Sequence, residues 1–157
     1  MKNVFFYETE IGEIGIAEVD NKITNVFFNR SYLPNNGYII NETASIVEAM
    51  KQLNEYLGGT RHAFNLSLAP EGTAFRQSVW QALCLIPYGE TRSYKAIGES
   101  IGNSKASRAV GSANNKNPIP FFIPCHRVIG ANGDLVGYLG GLEIKKFLLD
   151  LEIKNKL

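Results

Sequence analysis

Cys125 and His126 stand side by side in Ile123-Pro124-Cys125-His126-Arg127-Val128, in a chain with only two cysteines and two histidines. A thiolate is a strong nucleophile, and a neighbouring imidazole is the usual means of making one near neutral pH. Most free cysteines are small buried hydrophobes rather than reagents, so the pair alone favours a structural cysteine, and the flanking sequence must reverse that. Cys84 falls within the helical stripe Phe75, Val79, Leu83 and Ile86 and is expected to be structural. Glu152 follows Leu148 by four residues on an otherwise apolar row. Such a carboxylate is either a frayed helix-end residue, the default reading, or a buried acid with a partner.

The elements that must position these groups read as two parts. Val4–Tyr7, Ile14–Ala17 and Ile23–Phe28 are expected strands, with turns at Gly12 and at Asp20-Asn21-Lys22. Residues 30–42, containing Pro34-Asn35-Asn36-Gly37, read as a loop. A helix is expected from Ala44, with Ile46, Met50, Leu53 and Leu57 at helical spacing and Gly58-Gly59 as its stop. Phe64, Leu66 and Leu68 alternate as a strand, and Ala69-Pro70-Glu71-Gly72 reads as a linker. The expected domains are therefore 1–69, α/β, and 70–157, mainly helical. Thr73 and Ser93 are placed to cap helices. Tyr94, Ile97 and Ile101 face inward, Gly102-Asn103-Ser104 turns, and a second short helix runs from Lys105 to Asn114. Two short helices around a glycine turn suggest a helix-turn-helix over about residues 93–115. On the second helix Ala106, Ala109, Val110 and Ala113 share one face, while Ser104, Arg108, Gly111, Ser112 and Asn115 share the other. The last helix runs from Leu142 to Ile153, its buried side marked by Ile144, Leu148 and Leu151.

Bulk composition bounds the answer. Hydrophobic residues make up 45% and charged residues 20% of 157, as in an ordinary globular protein. No apolar run approaches the roughly 20 residues that span a bilayer. Two cysteines and an N-terminus that turns acidic early point to a reducing, cytoplasmic setting. No Cys-x-x-Cys or His-x-x-x-His pair is present, so no metal is expected. The net charge of +1 conceals a polarity. Residues 1–59 carry four bases against eight acids, whereas residues 91–127 carry six bases against one acid. A local positive field around a small, polar helix face suits a phosphate backbone.

In their order along the chain, several motifs resemble the O6-alkylguanine-DNA alkyltransferases. They are Val79-Trp80-Gln81-Ala82-Leu83, Ile86-Pro87-Tyr88-Gly89-Glu90-Thr91, Ser93-Tyr94 and Ser107-Arg108-Ala109-Val110-Gly111, followed by Asn117-Pro118-Ile119-Pro120, Ile123 to Val128, and Gly137-Tyr138-Leu139-Gly140-Gly141. The match spans residues 73–153, and residues 1–68 share only the family's general character. The resemblance implies a ribonuclease-H-like α/β domain followed by a helical, winged helix-turn-helix DNA-binding domain. It implies single-use repair of O6-alkylguanine, with O4-alkylthymine as a second lesion, in double-stranded DNA. It implies no cofactor, and a monomer when free.

By the same resemblance Cys125 is the acceptor, His126 the base acting through a water, and Glu152 the group that orients His126. Asn117 shapes the turn beside the cysteine. Tyr94 assists flipping and bonds the base, and Arg108 fills the gap left in the stack. Ser93, Ser104, Ser112, Asn115 and Arg127 are expected at the DNA surface. Tyr138, Leu139, Gly140 and the backbone near Val128 line the guanine pocket. Leu139 departs from the serine or alanine more usual there, which puts the alkyl range in doubt. Three rival readings remain: a lesion-binding protein without chemistry, an alkylation-sensing DNA-binding regulator, and a Cys-His hydrolase. The first would lack the cysteine, the second would add a metal-binding domain, and the third would need an oxyanion hole and a water route.

Overall fold

The computed structural model describes residues 1–35 and 37–156, so Asn36 of the expected loop lies outside the described residues. The chain divides into two compact units, Met1–Glu71 and Gly72–Leu157. In the first, strands β1 (Lys2–Thr9), β2 (Gly12–Val19), β3 (Lys22–Phe27) and β4 (Tyr38–Ile40) form one sheet in the order β3-β2-β1-β4. The hairpins β1–β2 and β2–β3 are antiparallel, and β4 runs parallel to β1. Ile14 to Glu18 are buried without interruption, because β2 is covered on both faces. Helix α1 (Ala44–Leu57) packs on β2 and β3 through Ile46, Ala49, Met50 and Leu53. Fourteen residues are marginal as an isolated helix, so this burial, about 1.5–3 kcal/mol per large side chain, is what holds it. Val4, Phe6, Ala17 and Phe27 form a separate cluster closed by Leu33 and Tyr38.

Two expectations fail in this unit. The stretch read as a loop contains a 3₁₀ turn (Arg30–Tyr32) and β4. Three residues are too short to show a pattern, and only pairing to β1 makes them a strand. Conversely, 64–68 is not a strand. It alternates in burial as expected, but its ladder is one bridge, Leu68 to Ile23.

The second unit is helical: α2 (Ala74–Leu83), α3 (Tyr94–Ser100), α4 (Ser107–Asn115) and α5 (Leu142–Lys154). Thr73 and Ser93 cap as expected, accepting from the Arg76 and Ala96 amides. Gly102, at φ +82°, makes the turn between α3 and α4. The indole of Trp80 on α2 donates to the Ala113 carbonyl of α4 at 2.9 Å, locking the two helices together. A two-stranded parallel ribbon, β5 (Arg92–Ser93) with β6 (Val128–Ile129), joins the start of α3 to the segment following Cys125. No helix among the described residues is long and apolar enough to cross a membrane.

Candidate active site

Asn117 builds the approach to the cysteine. Its Oδ1 accepts from the Ile119 amide and its Nδ2 donates to the Ile123 carbonyl, both at 2.9 Å. The Ile123 amide in turn bonds the Ile119 carbonyl at 2.9 Å, closing the loop on itself. Phe121 is held there at φ +71°, a conformation a bulky residue adopts only when its surroundings impose it. Its buried side chain supplies that anchor. Cys125–Arg127 then form a single buried 3₁₀ turn.

This turn delivers two side chains to one carboxylate. His126 is fully buried, with Nε2 2.7 Å from Glu152 Oε2. Arg127 donates through Nε to Oε1 at 2.9 Å and through Nη2 to Oε2 at 3.0 Å, while its Nη1 holds the Ile86 carbonyl at 2.8 Å. The Gly89 amide adds a further donor to Oε1 at 3.0 Å. Burial opposes the charge on Glu152, but the His126 hydrogen bond and the Arg127 guanidinium outweigh it and hold the carboxyl at about 2. Burial also pushes His126 below its ordinary value, in spite of Glu152. At neutral pH the ring is therefore neutral, with Nε2–H donating to an ionised Glu152. That tautomer makes Nδ1 the nitrogen able to take up a proton.

Cys125 is 4% exposed. Burial pushes its thiol up to about 11, and the Asn117 side chain and the Lys145 ammonium reverse this only in part. The nucleophile is thus stored protonated.

Above the turn, the ribbon sets Tyr94 beside Cys125. Burial raises the Tyr94 hydroxyl, and charge on Cys125 adds to the shift, so the two groups are within electrostatic reach. The Tyr94 ring lies over Gly111 of α4, 3.8 Å from where an added Cβ would sit, which is ordinary van der Waals contact. The Tyr94 hydroxyl donates to the Val136 carbonyl at 3.3 Å. Lys145 Nζ donates to that same carbonyl at 2.8 Å and to the Val128 carbonyl at 2.6 Å. The backbone on both sides of the site is therefore tied to one buried ammonium. Tyr138 is half-buried and Leu139 is 49% exposed.

A buried thiol, a charge-locked imidazole and a short polar helix are joined here in one helical unit. That unit, over residues 74–154, matches the family model described as "6-O-methylguanine DNA methyltransferase, DNA binding domain". Residues 5–70 match "6-O-methylguanine DNA methyltransferase, ribonuclease-like domain". The chain belongs to this family.

Among similar methyltransferases is the Bacillus subtilis "Methylated-DNA--protein-cysteine methyltransferase, constitutive", 48% identical over 153 residues and 92% of each chain. A Methanosarcina barkeri methylated-DNA–protein-cysteine methyltransferase is 62% identical over 108 residues, 69% of this chain and 68% of the relative. Mycobacterium tuberculosis OGT, solved in complex with DNA, superposes with a TM-score of 0.91 at 40% identity, covering 98% of this chain and 94% of the other. The α/β first domain and DNA-binding second domain expected from the sequence are those of the family.

Set against this methyltransferase fold, the expected site residues separate into groups. Cys125, His126, Glu152, Asn117 and Tyr94 come together. Val128, Tyr138, Leu139 and Gly140 lie on segments that Lys145 and Tyr94 tie to this centre. Ser104, Arg108, Ser112 and Asn115 are exposed on or beside α4. Ser93 is half-buried and its oxygen caps α3.

Arg127 does not reach the surface expected of it. It is 6% exposed and its guanidinium is spent on Glu152 and Ile86, because a buried carboxylate demands a counter-charge. Cys84 is exposed as the cap of α2, outside the core. On α4 Ala109 is exposed and Asn114 is buried in its stead, on the face of Val110 and Ala113 that packs against α2 and α3. On α5 the fully buried row is Lys145, Leu148 and Glu152, with Ile144 and Leu151 only partly covered. Lys145 and Asn114 were not anticipated. Lys145 lies seven residues before Glu152, so the spacing that singled out the acid also marks the lysine. Asn114 carries no such signal. Among the described residues, no cluster of three or more His, Cys, Asp or Glu is placed to hold a metal ion.

Proposed function

We propose that this protein repairs alkylated DNA by direct reversal, moving the alkyl group from guanine O6 to Cys125 in one irreversible event. It does so as a cytoplasmic monomer on double-stranded DNA. The observation that carries this reading is the fully buried Cys125-His126-Glu152-Arg127 chain within the DNA-binding unit.

Chemistry on O6 requires the base to leave the stack, at a cost of a few kcal/mol. Arg108, exposed on α4, fills the gap, while Ser104, Ser112 and Asn115 grip the backbone. The extruded base enters between Tyr138, Leu139, Gly140 and the Val128 backbone. The Cys125 proton passes to His126 Nδ1 through a water, and Glu152 stabilises the resulting imidazolium. Sulfur attacks the alkyl carbon, the S–C bond forms, and the C–O6 bond breaks with its electron pair left on guanine. Tyr94 supplies a proton to the base as that charge develops. Lys145 stabilises the thiolate and holds the carbonyls that frame the base. A thioether has no leaving group that water can displace here, so each molecule acts once.

The reading requires the stored thiol to lose its proton when substrate is bound, and the Asn117 side chain and the Lys145 ammonium are the groups that favour the thiolate. Intact mass spectrometry with duplex DNA bearing one O6-methylguanine tests it. The expected result is a stoichiometric gain of one methylene mass, mapped to Cys125. Tight lesion binding without that gain would move the protein to the lesion-recognition class, and repeated turnover on an ester would make it a hydrolase.

A further inference from the structure

Asn114 stands on the inner face of α4, 2% exposed, one residue from the exposed Asn115. Its Nδ2 donates to the carbonyl of Cys125 at 3.3 Å. That carbonyl also accepts from the Val128 amide that closes the 3₁₀ turn. Two donors fix the 125–126 peptide, and the Cys125 amide donates to the Ile123 carbonyl at 2.7 Å on the other side, so the Cys125 Cα–Cβ bond is held from both sides. Asn114 Oδ1 is buried with no donor among the described residues. The contrast with Asn117, whose amide is bonded at both ends, is informative. Asn117 bridges its own loop and its side chain also bonds the Cys125 thiol, so it acts on the sulfur directly. Asn114 carries a buried polar group whose one described bond ends on the residue bearing the nucleophile. A leucine of the same size would fill that space without desolvating an amide.

We propose that Asn114 is a positioning residue: it aims the Cys125 thiol into the base pocket and ties that aim to the helix that seats on DNA. The inference rests on the alkyl-transfer reading above. Asn115, on the next position, abuts the pocket loop, its Oδ1 3.0 Å from where a Cβ at Gly137 would lie. The last turn of α4 thus contacts both the nucleophile's peptide and the loop bearing Tyr138 and Leu139. Alignment of reacting atoms is sensitive to small displacements, and about 1 Å can cost about a hundredfold in rate.

The test compares Asn114→Leu and Asn114→Gln with the unmodified protein, using free O6-benzylguanine and O6-methylguanine duplex DNA. Asn114→Leu is expected to keep its thermal midpoint and its affinity for undamaged duplex. Its maximal transfer rate should fall about tenfold to a hundredfold on both substrates, at unchanged half-saturation. Asn114→Gln, which keeps the donor, should recover part of that rate. Labelling of Cys125 by iodoacetamide, resolved from Cys84 by peptide mapping, should slow in the leucine variant and recover in the glutamine variant. Wild-type rates in Asn114→Leu, a loss that follows thermal stability, or a change in half-saturation alone would each overturn the proposal. If the unmodified protein takes no alkyl group from guanine, alkyl transfer itself fails. The labelling comparison still decides whether Asn114 orients the thiol.

Discussion

Each unit buries one glutamate almost completely, and the two are held differently. Glu18, 3% exposed, accepts from the Asn3 amide at 2.7 Å, the Asn21 backbone at 2.8 Å and the Ser45 hydroxyl at 3.2 Å. All three donors are neutral, and together they fasten the β2–β3 turn and the start of α1 to β1. Glu152, 1% exposed, is held by a guanidinium, an imidazole and the Gly89 amide. Similar burial of the same residue type thus serves two ends. Neutral donors with no acid–base chemistry of their own make a brace. A cation and a titratable ring make a reservoir that can stabilise a proton arriving at His126.

The comparison breaks most sharply at the nucleophile that the second glutamate serves. Cys125→Ser should abolish the mass gain from alkylated DNA and keep duplex affinity, whereas Cys84→Ser should leave transfer at the wild-type rate. Loss of transfer in a folded Cys84→Ser protein would put the nucleophile elsewhere.

Removing charge from the two acids should separate them next. Glu152→Gln leaves Arg127 buried without a counter-ion, at a cost of about 3–5 kcal/mol, and removes the support for an imidazolium. Glu18→Gln keeps an acceptor for its neutral donors and should cost about 1–2 kcal/mol, with transfer unaffected. Urea denaturation together with transfer rates measures both. Equal losses for the two variants would erase the distinction between brace and reservoir.

The pH dependence follows from the same chain. Glu152 has its carboxyl depressed from an ordinary 4.5 to about 2, so its stabilisation is complete above about 4.5 and is lost as pH falls toward 2. That difference is worth about 3 kcal/mol. His126, also depressed, binds its proton more readily in the unfolded chain, which removes stability as pH falls below 6.5. Both effects have the same sign. Denaturation midpoints should decline from about pH 6.5 downward, and only the part of the decline below about pH 4.5 should be shallower in Glu152→Gln, because His126 loses its supporting charge and stays depressed.

Smaller effects belong to the surface and the pocket mouth. Arg108→Ala should slow repair of duplex far more than reaction with free O6-benzylguanine, because only the duplex requires flipping. Equal slowing on both would remove its intercalating role. Leu139→Ala should widen the mouth and shift preference toward bulkier alkyl groups by about tenfold or less, read as relative rates on methyl and benzyl lesions.

Much of this was legible in the chain itself. Hydrophobic spacing and caps placed α1, α2 and α3, since Thr73, Ser93 and Gly58 carry local signals that need no partner. The ordered motifs located Cys125, His126, Asn117 and Tyr94, because contiguous residues can be read as a unit. Even Glu152 stood out, as an acid on an apolar row. Only the tertiary structure turned Arg127 inward, since whether an arginine faces solvent depends on a carboxylate 25 residues away. It made Tyr38–Ile40 a strand by pairing it with β1, and denied strand status to 64–68 by offering a single bridge. It also buried Lys145 and Asn114, whose bonds end on the carbonyls of Val128, Val136 and Cys125. Local propensity and motif order are properties of the chain. The destination of a long polar side chain is a property of the fold, because burial commits its donors to whichever acceptors the packing brings within reach.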